Sequence, residues 1–373
     1  MSGRGERACG HSVERACGHG VVSTGPRLDD FGGLLDWGRL QAWIVGQDLP
    51  GRGPVRAVTR LTGGSQNNIF RLERDGADLV LRRPPRHPRE NSDATILREA
   101  RVLRALRGSA VPHPQVYGVC DDRSVIGACF YLMAVIDGFT PRGALPGRYA
   151  TEPGWRRALA FEIVDAAAAV ARVRPGDVGL ADVGRAEGWL DRQVPRWMSQ
   201  LEGYQRYPAY AGRTLPHTAE VAAWLEQRRP GRCVVGIIHG DLQFANVMFA
   251  RDHPRLLALI DWELSTLGDP LLDLGWILTS WSEPGDPPGH EPYVQPADGL
   301  PSRQELVERY LAATGRDPAL VPWFFALACY KLGILVEGSY ARALSGQAPM
   351  DIGRRLHGHA LWLLEKAAQL AGA

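Results

Sequence analysis

Apolar positions follow two regimes along the chain. Between Val55 and Val135 they form short runs bounded by Gly, Pro or Asp, and five of these read as strands: Val55 to Leu61, Asn68 to Glu73, Asp78 to Arg83, Gln115 to Cys120 and Cys129 to Val135. A short helix beginning near Asp36 precedes them, and a helix from about Asp93 to Arg107 is inserted after the third. From Glu152 onward the pattern turns helical, over about 154–173, 187–203, 217–229, 270–281, 303–314, 318–345 and 351–370. Ser302-Arg303-Gln304-Glu305 supplies a capping box for one of these helices. Two short strand-like runs, Val247 to Phe249 and Leu256 to Ile260, interrupt the helices, and the Pro- and Gly-rich stretch Glu283 to Pro301 reads as a long surface loop.

The pattern predicts an α+β fold with two lobes. Residues 31–136 form a small antiparallel-sheet lobe with one helix, and residues 137–373 a mainly helical lobe. Residues 1–30 differ from both. Glu6-Arg7-Ala8-Cys9-Gly10-His11 recurs as Glu14-Arg15-Ala16-Cys17-Gly18-His19 in a Gly-rich, apolar-poor context, which reads as a disordered tail. The spacing of the two Cys-Gly-His units matches no zinc finger.

Composition narrows the class. With 45% apolar and 23% charged residues the chain is ordinary for a water-soluble protein, and no uninterrupted apolar run approaches the ~20 residues of a membrane span, so no membrane association is expected. The formal charge is +2, with 43 basic residues scattered among 41 acidic ones, which gives no footprint for nucleic acid. The six cysteines form neither a disulfide framework nor a Cys-x-x-Cys pair, and no secretory signal is visible, so a cytoplasmic location is expected.

Candidate chemistry gathers late in the chain. In Ile237-Ile238-His239-Gly240-Asp241-Leu242-Gln243-Phe244-Ala245-Asn246-Val247-Met248-Phe249 an apolar run delivers Asp241 to a turn, and Asn246 follows just before a second apolar run. Phosphoryl transfer needs a carboxylate to orient the attacking hydroxyl and a separate oxygen ligand for magnesium, roles that suit Asp241 and Asn246. The run Leu257-Ala258-Leu259-Ile260 ends in Asp261, where a carboxylate can bridge Mg2+ to phosphates.

These motifs, followed by Gly268-Asp269-Pro270-Leu271-Leu272-Asp273-Leu274-Gly275, resemble the aminoglycoside phosphotransferase family, whose fold is related to that of protein kinases. The resemblance spans about residues 55 to 345 and is strongest to the branch associated with acyl-CoA dehydrogenase family members. It implies an ATP- and Mg2+-dependent phosphotransferase, with GTP open as an alternative donor, that transfers the γ-phosphoryl group to a hydroxyl of a small molecule. By resemblance Asp241 is the base and Asn246 and Asp261 hold the metal. Asp273 and His239 then brace the catalytic loop, and Asp269 caps the helix that begins near Pro270.

The first lobe offers an independent check. Ile96, Glu99, Leu103 and Leu106 share one helix face, so Glu99 sits among apolar neighbours and needs a partner, for which Arg82 at the end of Leu79-Val80-Leu81 is the natural choice. In a kinase-like fold such a pair positions the ATP phosphates. Family relatives commonly carry Lys at this position, so Arg82 is a departure, and Arg83 points to the opposite sheet face. The turn Thr62 to Asn68, with Gly64, Ser65 and Gln66, is placed to cradle phosphate. Phe130 to Gly138 resembles the strand and hinge where backbone at Met133 to Val135 meets adenine.

The acceptor is not legible. A polycationic aminoglycoside wants a dense acidic pocket, but residues 281 to 351 hold nine acidic against five basic residues, too slight a lean. The acyl-CoA-dehydrogenase-associated branch points to a hydroxylated acyl metabolite, with Lys331 or Arg342 facing an anionic group. A nucleotide-binding pseudokinase that serves as an interaction module is the alternative from another class, and the oligomeric state stays open.

Overall fold

The computed structural model describes residues 31–61, 67–87, 90–281, 283, 286–287 and 293–372. The tail 1–30 and the turn residues Gly64, Ser65 and Gln66 lie outside the described residues. The chain divides into two units, one built from residues up to Ile96 with Tyr117–Val135, the other from Leu97–Val116 with Ile136–Ala373.

The first unit opens with helix α1 (Trp37–Val45), whose Asp36 accepts the Arg39 backbone N–H at 3.1 Å as its N-cap. Strands β1 (Arg52–Leu61), β2 (Asn68–Asp75), β3 (Leu79–Arg83), β4 (Val116–Cys120) and β5 (Phe130–Ala134) form one sheet in the order β1-β2-β3-β5-β4. The pairings β1 with β2, β2 with β3 and β3 with β5 are all antiparallel. Alternation sends Phe70, Leu72, Leu79, Leu81, Phe130 and Leu132 to one face, where Leu40 and Ile44 of α1 cover them. Trp43 packs edge-on against Phe130 at 4.9 Å.

Helix α2 (Ser92–Ala105) starts in the first unit and ends in the second. The boundary read from sequence gave residues 31–136 to the first lobe, whereas Leu97–Val116 fall in the second unit. Polar contacts explain the allocation of Leu97–Val116 to the second unit: Arg101 forms a two-pronged bond with Asp182 at 2.6 and 3.0 Å, Arg98 donates to the Glu263 carbonyl, and the Pro112 carbonyl accepts from Leu259.

In the second unit, β6 (Gly143–Ala144), α3 (Arg148–Thr151) and α4 (Pro153–Arg172) lead to α5 (Gln193–Glu202) and α6 (Thr218–Gln227). Short strands β7 (Gly236–Ile238), β8 (Val247–Phe249), β9 (Leu256–Leu259) and β10 (Thr266–Gly268) follow as two antiparallel pairs, β7 with β10 and β8 with β9. The chain ends through α7 (Leu271–Thr279), β11 (Val294–Gln295), α8 (Arg303–Thr314), α9 (Val321–Leu344) and α10 (Met350–Ala371). The Ser302/Glu305 capping box at α8 is formed as expected from sequence.

Helix α9 packs on α7 and on α10. The approach to α7 is close enough that a Cβ on Gly275 would fall 2.6 Å from the Phe324 carbonyl oxygen. Residues Pro318–Leu344 are also long and apolar enough to cross a membrane by length and composition, contrary to the run-based expectation, because Lys331 and Glu337 break the run without making the helix polar. Here Phe324, Leu327, Cys329 and Ile334 are buried inside the fold.

Candidate active site

Strand pairing in the second unit gathers the predicted residues. Val247 pairs with Leu259, so Asn246, one residue before β8, stands opposite Ile260, one residue after β9, and the Ile260 N–H donates to the Asn246 carbonyl at 2.9 Å. Asp261 follows with φ +66° and ψ +61°, left-handed backbone that an Asp adopts at a cost of about 1 kcal/mol or more and that recurs at functional turns. Likewise Ile238 pairs with Thr266, which sets His239 and Gly240 beside Ser265 and Leu264, a few residues after Asp261, and Asp269 beside the segment before β7.

Asp241 is held by four donated bonds. Asn246 Nδ2 donates to its Oδ2 at 2.7 Å and to its backbone carbonyl at 2.9 Å, while Gln243 Nε2 and Trp276 Nε1 donate to Oδ1 at 2.7 and 2.9 Å. Burial pushes the Asp241 carboxyl above its ordinary value; the Trp276, Asn246 and Gln243 bonds oppose this and the nearby Asp261 charge adds to it. With both amide hydrogens of Asn246 committed to Asp241, its Oδ1 remains as an acceptor, and it and the Asp261 carboxylate could supply hard oxygen donors of the kind Mg2+ prefers. Among the described residues no cluster of three or more His, Cys, Asp or Glu forms a metal cage. Two oxygen side chains suit a metal whose other ligands are phosphates and water.

The loop around Asp241 is fixed from α7. Asp273 accepts the backbone N–H of His239 at 2.7 Å and of Gly240 at 2.9 Å. Its full burial raises its pKa to about 6 against the pull of those bonds and of Lys331. Gly240 has φ +85°, and a Cβ there would meet the Leu264 carbonyl oxygen at 2.6 Å, so only glycine fits. His239, with no exposed surface, sits 3.1 Å from the Ile260 carbonyl through Nε2, which assigns the proton to that nitrogen. Burial lowers its pKa to about 4, so it is a neutral support rather than an acid.

Asp269 accepts the Leu271 N–H at 3.1 Å at the start of α7 and is gripped by Arg316. Glu99 is buried on the apolar face read from sequence, and its carboxylate accepts the Trp262 N–H at 3.0 Å, next to Asp261.

In the first unit Arg82 and Arg83 are both buried. Arg83 is committed to backbone carbonyls, to Ile126 at 3.1 Å, Pro84 at 3.2 Å and Leu34, so it is a structural residue. Met133 and Val135 are half-buried, and Val135 is the last residue of that unit.

Sequence reasoning missed Trp276 and Gln243. Trp276 lies three residues after Asp273 and therefore on the same face of α7, a spacing that marks it. Arg342, proposed from sequence to meet an anion, is exposed and bonded to Ser339 at 3.0 Å. Lys331 is instead buried beside the Gly240 carbonyl, 3.5 Å from Nζ.

A cavity of about 850 Å³ opens near this loop, lined by Tyr293, Arg354, Arg355, His359, Leu361 and Trp362 among others. Tyr293 links the two, because its ring stacks on Phe244 of the loop at 5.5 Å.

The model of the phosphotransferase enzyme family matches residues 57–319. Acyl-CoA dehydrogenase family member 11 of Rattus norvegicus is 32% identical over 320 residues, 82% of this chain. The chain spans only 39% of that relative's length. A solved structure of a candidate aminoglycoside phosphotransferase from Ralstonia eutropha superposes with a TM-score of 0.75 at 31% identity, covering 90% of this chain and 98% of that one. A thermostable aminoglycoside phosphotransferase mutant solved with AMP-PNP and hygromycin B gives a TM-score of 0.55 at 16% identity over 90% of this chain and 99% of that chain, a likeness of fold alone. The chain thus belongs to the phosphotransferase enzyme family, small-molecule kinases of protein-kinase-like fold that act on hydroxyl groups.

Proposed function

We propose that the protein transfers the γ-phosphoryl group of ATP, with Mg2+, to a hydroxyl of an anion-bearing, partly apolar small molecule, a hydroxyacyl metabolite being the best fit. The observation that carries the transfer chemistry is the Asp241 carboxylate fixed by Asn246 at 2.7 Å, with Asp261 within electrostatic reach. Asp241 orients the acceptor hydroxyl and takes its proton as the oxygen attacks phosphorus. Asn246 Oδ1 and Asp261 would hold the metal, which when bound would neutralise charge on the phosphates. Trp276 and Gln243 keep the base in one rotamer, so little reorganisation is left for the reaction itself. Arg82 and the backbone of Met133 to Val135, with the turn at Gly64, Ser65 and Gln66, are assigned to the nucleotide.

The cavity supports the acceptor class. Arg354 and Arg355 are exposed and have no ion-pair partner among the described residues, and His359 joins them on a wall shared with Leu361 and Trp362. Glu365 on the same lining is engaged by His217 at 2.9 Å, so the lining as a whole favours an anionic group on an apolar body over a polycationic aminoglycoside. The relatives named for acyl-CoA dehydrogenases lean the same way. A pseudokinase reading is disfavoured because Asp241, Asn246 and Asp261 are all in place.

The test is γ-phosphate transfer from Mg-ATP to hydroxyacyl thioesters and to aminoglycosides, with wild type and Asp241→Asn. Transfer to the thioesters that drops by about a thousandfold or more in the variant supports the proposal. Turnover of aminoglycosides alone overturns the acceptor class, and equal rates in the two proteins overturn the role of Asp241.

A further inference from the structure

Lys331 is 8% exposed, yet no carboxylate lies within ion-pair distance of it among the described residues. Asp273 and Asp241 act on it only through space, so the buried ammonium is costly, and packing alone would be better served by Leu or Met. What surrounds the charge is specific. Nζ lies 4.4 Å from the centre of the Trp276 ring, 5.4 Å from that of Trp197 and 3.5 Å from the Gly240 carbonyl oxygen. The edge of the same Trp276 indole donates to Asp241 Oδ1 at 2.9 Å. Cation, aromatic face, indole N–H and carboxylate therefore form one line from α9 through α7 to the catalytic loop.

We propose that Lys331 is a positioning residue for Asp241, acting through Trp276 and the Gly240 carbonyl. An ammonium over the ring face draws electron density from the indole and makes its N–H a stronger donor, which pins Oδ1 and leaves Oδ2 as the oxygen that meets the acceptor hydroxyl. The contact with the Gly240 carbonyl holds the main chain next to Asp241 in the same register. The charge, more than the bulk, carries the effect. This inference rests on the reading of Asp241 as the base.

The test uses the full chain with Mg-ATP as probe, following phosphate release to water along with KM for ATP and thermal midpoint. Lys331→Gln keeps a donor for Gly240 but removes the charge, while Lys331→Arg keeps the charge. Lys331→Gln is expected to lower kcat by about tenfold or more with KM for ATP little changed, and Lys331→Arg to recover most of the loss. Trp276→Phe keeps an aromatic face, smaller than the indole, and removes the N–H; it should cost a similar factor alone and little more when added to Lys331→Gln, since the two residues act in one line. Wild-type kcat in Lys331→Gln, equal losses in Gln and Arg, or full additivity with Trp276→Phe would overturn the proposal. If Lys331→Gln does not fold, Trp276→Phe decides by itself: a wild-type kcat there removes the link to Asp241. Asp241→Asn separates the two readings, because activity that survives in it sinks the role of the base, whereas a dead Asp241→Asn beside an unchanged Lys331→Gln sinks only the present inference.

Discussion

Arg316 holds Asp269 with both terminal nitrogens, at 2.8 and 2.9 Å, and the Asp269 carboxylate has no exposed surface. The same carboxylate accepts the N–H groups of Val234 and Leu271, each at 3.1 Å, so it joins the segment before β7 to the start of α7. Arg316→Met leaves this charge buried and uncompensated. It is expected to destabilise the protein by roughly 3–5 kcal/mol, with Asp269→Asn in the same chain restoring part of the loss. Urea midpoints of the single and double variants measure this.

The two arginines ending β3 should part company. Arg83→Met removes donors from the Ile126 and Leu34 carbonyls and should lower stability by about 2 kcal/mol or more. Arg82→Met should lower kcat/KM for ATP by tenfold or more, with Arg82→Lys, which keeps the charge but loses the planar fork, losing less. Thermal melts and ATP titrations on the same preparations tell the two effects apart.

His239 gives an acid limb to stability. Its pKa falls from 6.5 to about 4 on burial, so the unfolded chain binds the proton more tightly than the folded one. The contribution is fully present above pH ~6.5 and is lost as pH falls towards 4, to a total of about 3 kcal/mol. His239→Asn should be less stable than wild type at pH 7.5, and the gap should narrow by pH 4.5. Denaturant midpoints at the two pH values check the sign; Asp273, whose shift runs the other way, is common to both proteins and cancels in the difference.

Gly240→Ala combines left-handed backbone with a Cβ 2.6 Å from the Leu264 carbonyl oxygen. We expect a loss of about 1–3 kcal/mol in stability and a fall in kcat larger than any change in KM for ATP, since the strain falls on the residue before Asp241.

Much of this arrangement was legible in the chain. Short runs bounded by turn residues located β1 to β5, and the order His239-Gly240-Asp241, Asn246, Asp261 marked the loop that β8 and β9 assemble. What escaped were pairings that no local signal announces. Gly236–Ile238 and Thr266–Gly268 are three residues each, too short to show a period, yet their register sets His239 beside Ser265 and Asp269 beside the segment before β7. Residues 97–116 left the first unit because Arg98, Arg101 and Pro112 found partners more than sixty positions away. Trp276 carried a signal in its spacing from Asp273, but an aromatic on an apolar helix reads first as core.

Gly275 stands between Asp273 and Trp276 at the point where α7 touches the main chain of α9. The distance from that crossing to the Asp241 carboxylate is therefore set by two backbones in contact, which neither a bulkier nor a slimmer side chain can retune. With the cavity taking the acceptor as proposed, acceptor preference can drift through changes at Arg354 or His359 without disturbing it. Engineering for new acceptors should accordingly start at the cavity wall and leave the helix junction alone.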